Sequence, residues 1–98
     1  MTYRNRKLLD LAHTMPCTAA FAHTCAGYLG CDPAHSDSSI WGRGMGHKSH
    51  DFAFAAMCHP AHEELARMTR SNKEAEWMLA HVQTMRFLWE NGLVGVVK

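Results

Sequence analysis

The residues best suited to chemistry are concentrated at positions 58–65, where the sequence is CHPAHEEL. Cys58, His59 and His62 place one thiolate and two imidazoles close together, and thiolate sulfur and imidazole nitrogen are ligands that zinc prefers. Pro60, followed closely by two glutamates, is typical of the first turn of a helix. We therefore expect Cys58 to end an extended segment and His62 to lie one turn into the helix that follows.

The chain has four cysteines and eight histidines among 98 residues, which favours a metal site. In a reducing compartment, four cysteines are more typical of metal ligands or thiols than of disulfides. A zinc ion held by Cys17, Cys25 and Cys58 needs a fourth ligand. The candidates for that position are Cys31, His59 and His62. Either of the first two is favoured, because the third has a further use. The alternative is that the cysteines are simply small buried apolar residues.

Two histidines suit the hydrolysis of a phosphodiester. His35 lies in an extended-looking segment before a loop, and His62 lies on the helix that returns toward it. Such a pair can divide the reaction, because one imidazole can deprotonate water while the other holds a divalent cation such as Mg²⁺ or Mn²⁺ against the phosphate. We assign the base to His35 and the cation to His62. The alternative is that each histidine is a polar residue satisfied in or near the core.

Positioning these residues calls for an α+β fold. Asn5 precedes a segment with helical spacing that ends before Pro16, which predicts a short first helix. Positions 17–31 have no clean period and are expected to form a loop or loose hairpin. Positions 51–57 are mostly apolar, and their period fits either a strand or a turn of buried helix. The aromatic residues at 52 and 54 favour a strand leading into the cysteine at 58, whereas the alanines favour the helix.

Two more helices should follow, over about 60–69 and about 71–91. The sequence SNKE at 71–74 is a capping box that would start the second of them, and Asn91-Gly92 would end it. Its apolar residues recur at helical spacing: Met78, Val82, Met85 and Leu88 or Trp89. The aromatic residues Trp77, Phe87 and Trp89 are expected in the core or at an interface rather than stacked on bases. The β-prone tail at 93–97 would edge a sheet or cross to a second copy, which would make the chain a homodimer.

Positions 42–48, GRGMGHK, form a glycine-rich loop that contains Arg43 and Lys48. Glycines allow close backbone approach, so the loop is suited to presenting cations to an anion such as the DNA backbone. The alternative is an ordinary mobile surface loop.

Length and composition predict a single domain over 1–98, with a core at about 17–69 and one long C-terminal helix. The formal net charge of +1 neither requires nor excludes a nucleic-acid partner. No run approaches the roughly 20 apolar residues of a membrane span, and the first residues lack the apolar core of a secretory signal. A cytoplasmic location without a membrane partner is therefore expected.

Three motifs occur in order along the chain: PAHS at 33–36, G-x-G-M-G-x-K-x-x-D at 42–51, and AMC-x-x-x-HEEL at 56–65. Together they resemble the small phage- and prophage-encoded HNH-like nucleases with a ββα-metal core, the family of the recombination-enhancement nuclease of temperate phage. The resemblance covers about residues 4–65. It implies a zinc-stabilised, treble-clef-type ββα core and a metal-dependent endonuclease or nicking nuclease acting on DNA, with a recombinase filament as a further partner.

The resemblance also implies roles for single residues. His35 matches the general base, His62 a ligand of the catalytic cation, and Asp51 a residue that steadies the loop carrying the base. The positions that hold a structural zinc in that family are matched by Cys17, Cys25 and Cys58. The cations that would meet the DNA backbone are Arg43 and Lys48.

The chain departs from the family pattern at three alanines. Ala34 stands where an acid often precedes the first histidine, Ala61 replaces the fourth zinc ligand, and Ala66 replaces an acid one turn beyond the last histidine. These departures favour a rival hypothesis, in which the chain is a catalytically inactive zinc module that binds DNA or a protein partner.

Overall fold

The structure is a computed structural model that describes residues 3–25, 30–42, 44 and 49–96. It is a small α+β fold in which the longest helix packs against a two-stranded antiparallel sheet. In chain order the elements are α1 (Arg6–Asp10), a 3₁₀ turn (Leu11–Thr14), β1 (Asp32–His35), a second 3₁₀ turn (Ser39–Trp41), β2 (Phe54–Met57), α2 (His59–Ala66) and α3 (Arg70–Glu90). Among the described residues, no helix has both the length and the apolar character needed to cross a membrane.

The short first helix is confirmed. Asn5 caps α1, because its side-chain oxygen accepts a hydrogen bond from the Leu8 backbone N–H at 3.1 Å. The helix then tightens into the first 3₁₀ turn, which ends before Pro16. Ala12 and Met15 from this part of the chain are fully buried. They tie the N-terminal segment to the core beside the sheet.

The sheet places β1 opposite β2 so that Asp32 faces Met57 and His35 faces Phe54. All four residues of β2 are buried. The strand predicted over 51–57 is confirmed only from Phe54 onward. The residues before it form a turn, in which the Ala53 N–H donates to the His50 carbonyl at 2.9 Å. The pairing with β1 therefore begins at Phe54, the residue after this turn.

Cys58 ends the strand and precedes α2, as the sequence predicts. It is the N-cap residue of α2 with an extended backbone, and Pro60 lies in the first turn. The helix stops at Ala66 rather than near 69, because the N–H groups of Arg67 and Met68 donate to carbonyls three residues back, as in a tightened last turn. Thr69 is extended and starts α3 without a side-chain cap.

The ends of α3 differ in how well the sequence predicts them. The capping box at 71–74 is wrong, since the helix already begins at Arg70. The predicted end is correct: Gly92 has φ 67°, its N–H donates to the Trp89 carbonyl at 3.2 Å, and the Leu93 N–H donates to the Leu88 carbonyl at 2.9 Å. This is the double hydrogen bond of a Schellman ending. Residues 93–96 form no strand.

The face of α3 that packs on the sheet agrees with the sequence-based expectation only in part, since Trp77 and Leu88 are buried as expected. The buried residues of the helix are Trp77, Ala80, His81, Thr84 and Leu88, whereas Met78, Val82 and Trp89 are exposed. The polar side chains on the buried face bond to strand backbone. The Trp77 indole N–H donates to the Ala34 carbonyl at 2.8 Å, His81 Nδ1 donates to the Phe54 carbonyl at 2.7 Å, and Thr84 Oγ1 accepts from the Ala56 N–H at 3.0 Å. These hydrogen bonds satisfy the polar atoms, so the three side chains can be buried.

Candidate metal centre and adjoining cleft

Four side chains form a candidate metal centre. The Sγ atoms of Cys17, Cys25 and Cys58 and one ring nitrogen of His23 all lie within 4.8 Å of one another. Three thiols and one imidazole form a common ligand set for a structural zinc ion, and separations of this size suit four ligands around one tetrahedral ion. The sequence predicted the three cysteines but not the histidine.

The sheet brings distant ligands together. Cys58 is fixed at the junction of β2 and α2, where it is fully buried. The segment containing Cys17 lies along β2, because the Thr18 N–H donates to the Ala56 carbonyl at 2.9 Å and the Thr18 hydroxyl donates to the same carbonyl at 2.8 Å. The Cys58 backbone N–H in turn donates to Cys17 Sγ at 3.4 Å. Such N–H···S contacts help to stabilise a ligating thiolate.

His23 is already in the tautomer that a metal requires. Its Nδ1 donates to the Phe21 carbonyl at 2.8 Å, so Nε2 carries the lone pair in the neutral ring. Nε2 lies 3.7 Å from Cys17 Sγ, on the side of the other ligands. A backbone carbonyl that orients a ligating imidazole in this way is a common feature of zinc sites. The same hydrogen bond raises the pKa of His23, against a smaller effect of burial.

The electrostatics of the centre favour a cation. Burial is the largest cause that raises the pKa of the Cys17 thiol, and the nearby Cys58 thiol raises it further. Burial, and then the proximity of Cys17 and Cys58, raises the pKa of Cys31 to about 12. Thiolates this close repel one another unless a positive ion lies between them. The residues present therefore fit a zinc ion.

The fourth residue of the group is His23, whereas the expected candidates Cys31, His59 and His62 lie outside it. Cys31 is fully buried beside the centre but lies outside the group of four. The side chain of His59 is 73% exposed, with its ring nitrogens 3.8 Å from an Asp32 oxygen and 3.3 Å from a Glu63 oxygen. His62 lies further along α2 and faces a different feature. Residue spacing contained a clue, since His23 is only two positions before Cys25.

That feature is a cleft of about 90 Å³ between the end of β1, α2 and the first turns of α3. His35 and His62 both line it, as the sequence predicts. The other lining residues are Ser36, Asp37, Leu65, Ala66, Lys73, Glu74 and Trp77. The two imidazoles come from different elements, so the β1–β2–α2 arrangement is what brings them to one place.

Asp51 holds one side of this arrangement together. Its carboxylate accepts from Arg4 Nη1 at 2.8 Å and from the Asn5 backbone N–H at 2.6 Å. It also lies 3.8 Å from His35 Nε2. Burial pushes the pKa of Asp51 upward, but the hydrogen bonds from Asn5 and Arg4 outweigh it and lower the pKa. The carboxylate is therefore charged beside His35.

Arg43 and Lys48, the cations predicted to contact DNA, lie outside the described residues. Within the described ranges, the group around Cys17 is the only set of three or more His, Cys, Asp or Glu side chains gathered closely enough for a metal ion. The cleft therefore offers His62, Asp37 and Glu74 as separate donors, without a preformed three-ligand site.

In comparisons with known proteins, the chain matches no protein-family model, no curated protein and no solved structure. Its function is therefore inferred from the geometry of the metal centre and the cleft.

Proposed function

We propose that this chain is a metal-dependent nuclease that hydrolyses DNA phosphodiester bonds, with an HNH-like ββα core. The observation that supports it best is the convergence of His35 and His62 on one cleft, next to a zinc-type ligand group. In this proposal β1 carries the base, β2 leads to the structural metal, and α2 carries the second histidine. The chain order of two strands followed by a helix supports this proposal.

The structural zinc ion would be held by Cys17, His23, Cys25 and Cys58. It would join residues 17–25 to the start of α2, and so fix the helix that carries His62. This role is structural, because all four positions are filled by protein ligands and none remains for water or substrate.

His35 acts as the general base in this proposal. It accepts a proton from the attacking water, and the resulting imidazolium is stabilised by the charged Asp51 carboxylate 3.8 Å away. Arg4 and the Asn5 N–H hold the Asp51 carboxylate in place by hydrogen bonds, so its negative charge stays beside the base. Stabilising the imidazolium would give this nearly buried carboxylate a function.

His62 would hold the catalytic divalent cation, together with oxygen atoms of the substrate. The carboxylate donors around the cleft suit Mg²⁺ or Mn²⁺. When bound, such a cation supplies charge that stabilises the pentavalent phosphate and the leaving oxygen.

The test is the nicking of supercoiled plasmid with Mg²⁺ or Mn²⁺, alone and with a recombinase filament. We expect His35→Ala to lower the rate about 100-fold or more, the usual contribution of a general base. His59→Ala is the matched control, because His59 is an exposed histidine of the same chain that does not line the cleft.

Equal inactivity of the wild type and His35→Ala under all these conditions would contradict the proposal. If such inactive protein still binds zinc and DNA, the rival function, a catalytically silent zinc module, is supported instead.

A further inference from the structure

A second cavity adjoins the cleft and extends it along α3. It has a volume of about 340 Å³ and is lined by Asp37, Arg70, Lys73 and Glu74. Three of these four residues also line the first cleft. The two cavities therefore form one groove, with Lys73 at the junction between the histidines and Arg70.

Lys73 is held in the groove by an ion pair. Its Nζ atom lies 3.4 Å from Asp37 Oδ2, and its side chain is only 27% exposed. Asp37 is two residues beyond the end of β1, so the pair connects that loop to α3. The Asp37 side chain is 55% exposed, and an ion pair with one partner open to solvent is weak and is readily exchanged for another anion.

Among the described residues that line the second cavity, positive and negative side chains are equal in number. Arg70 Nε lies 3.7 Å from Glu74 Oε1, and both side chains are largely exposed. Two cations thus face two carboxylates. A phosphate that replaces the carboxylates as the partner of Lys73 and Arg70 gains two charge-assisted contacts. This gain does not depend on the net charge of the chain, which is only +1.

Resting on the proposed function, we propose that Lys73, with Arg70 beyond it, binds the phosphate next to the scissile one. Asp37 holds Lys73 in position until nucleic acid displaces it. The substrate class that this groove fits is a polynucleotide strand with at least two consecutive phosphates, rather than a mononucleotide or a phosphomonoester. Lys73 is then a positioning residue for the strand.

Binding of a fluorescein-labelled oligonucleotide, followed by anisotropy without added divalent cation, tests this independently of cleavage. We expect Lys73→Ala to weaken binding about fivefold to tenfold at low salt, equally for different sequences. The slope of log affinity against log salt should fall by about 0.9 for duplex or about 0.7 for single-stranded DNA. Lys7→Ala, an equal change of charge on α1 away from the groove, is the control and should match the wild type.

Asp37→Asn supplies the opposite prediction. Removing the competing carboxylate releases Lys73 and should strengthen binding about twofold to fivefold. If the pair served only the fold, both variants would instead lower the thermal unfolding midpoint and weaken binding alike. That result would overturn the proposal, as would an unchanged affinity and salt slope for Lys73→Ala.

Failure of the nuclease proposal looks different. The wild type would then cleave nothing, while Lys73→Ala and Asp37→Asn would still shift oligonucleotide binding in opposite directions. If the wild type does cleave, we expect Lys73→Ala to raise KM for the oligonucleotide more than it lowers kcat, since the residue binds the strand outside the reacting atoms. An effect on kcat alone would contradict the positioning role.

Discussion

The metal centre and the cleft lie next to each other but differ in how closely their side chains are packed and in how open they are to solvent. The centre gathers four ligands from two distant parts of the chain into a space only a few ångströms wide, and its Cys58 ligand is fully buried. The cleft is open, its histidines come from β1 and α2, and ion pairs rather than packing line its outer part. The metal centre is suited to stabilising the fold, and the cleft is suited to binding and releasing a substrate.

This difference shows how a chain of 98 residues can support an open site. Small domains bury a limited core, and a metal ion supplies stability that apolar contacts do not. The elements that carry His35 and His62 are β1 and α2, which flank the β2 strand and the Cys58 junction. We therefore expect substitutions at the centre to affect stability first, and substitutions in the cleft to affect function first.

The largest effect is expected from Cys58→Ser. Loss of this ligand should reduce zinc from one ion per chain to well below one, and should unfold most of the protein, because zinc binding of about 10 kcal/mol or more is coupled to folding in small domains. Elemental analysis measures the zinc content, and circular dichroism measures the loss of folded structure. Cys31→Ser is the control and should keep the ion, since Cys31 lies outside the ligand group. Equal zinc loss in both variants would contradict the assignment.

A smaller effect is expected from Asp51→Ala, a substitution beside the cleft histidine His35. The substitution leaves Arg4 and the Asn5 N–H without their carboxylate partner, and should cost about 1–3 kcal/mol in the free energy of unfolding. Because folding lowers the pKa of Asp51, its contribution is present above the unfolded pKa and is lost as pH falls through the folded one. Urea unfolding of the variant and the wild type, near neutral pH and at acid pH, measures this contribution. An equal difference in the free energy of unfolding at both pH values would contradict the prediction.

The buried His81 predicts a second pH dependence, in the range near 6. Burial lowers its pKa, against the opposing hydrogen bond to the Phe54 carbonyl. The unfolded chain therefore takes up the proton first, and stability should fall as pH drops below the ordinary histidine pKa of about 6.5. His81→Leu should show a flatter dependence between pH 5 and 8 in urea unfolding. A dependence as steep as that of the wild type would assign it to other groups.

The smallest effect on stability is expected in the cleft itself. His62 is half-buried on α2 and lines the open cleft, so His62→Ala should change the free energy of unfolding by no more than about 0.5 kcal/mol. Thermal unfolding measures it, with Cys58→Ser as the contrast. A loss as large as that of the metal-centre variant would remove the distinction between the two regions.

Sequence reasoning succeeded where local chemistry determines structure. Pro60 marks the start of α2, Gly92 ends α3 with a positive φ, and Cys58 lies at the end of a buried strand. The approach of Cys17 and Cys25 to Cys58 was also predictable, because few other uses suit three cysteines in such a chain.

Features that depend on tertiary contacts were not predicted from the sequence. His23 is one of eight histidines, and only the fold distinguishes it by placing Nε2 beside Cys17. The buried face of α3 was predicted only in part, because hydropathy counts Thr84 and His81 as surface residues, although both bond to strand backbone in the interior. Hydrophobic spacing has no means of recognising a polar residue whose partner lies in another element.

Trp77 gives the molecule an internal optical probe. Its indole stacks on His81 with ring centroids 4.8 Å apart, meets Trp41 edge-on at 5.4 Å, and forms part of the cleft wall. Emission from an indole depends on the polarity and charge around it, so an anion entering the cleft or a proton arriving on His81 changes its intensity. Titrations at this site can therefore be followed in unlabelled protein.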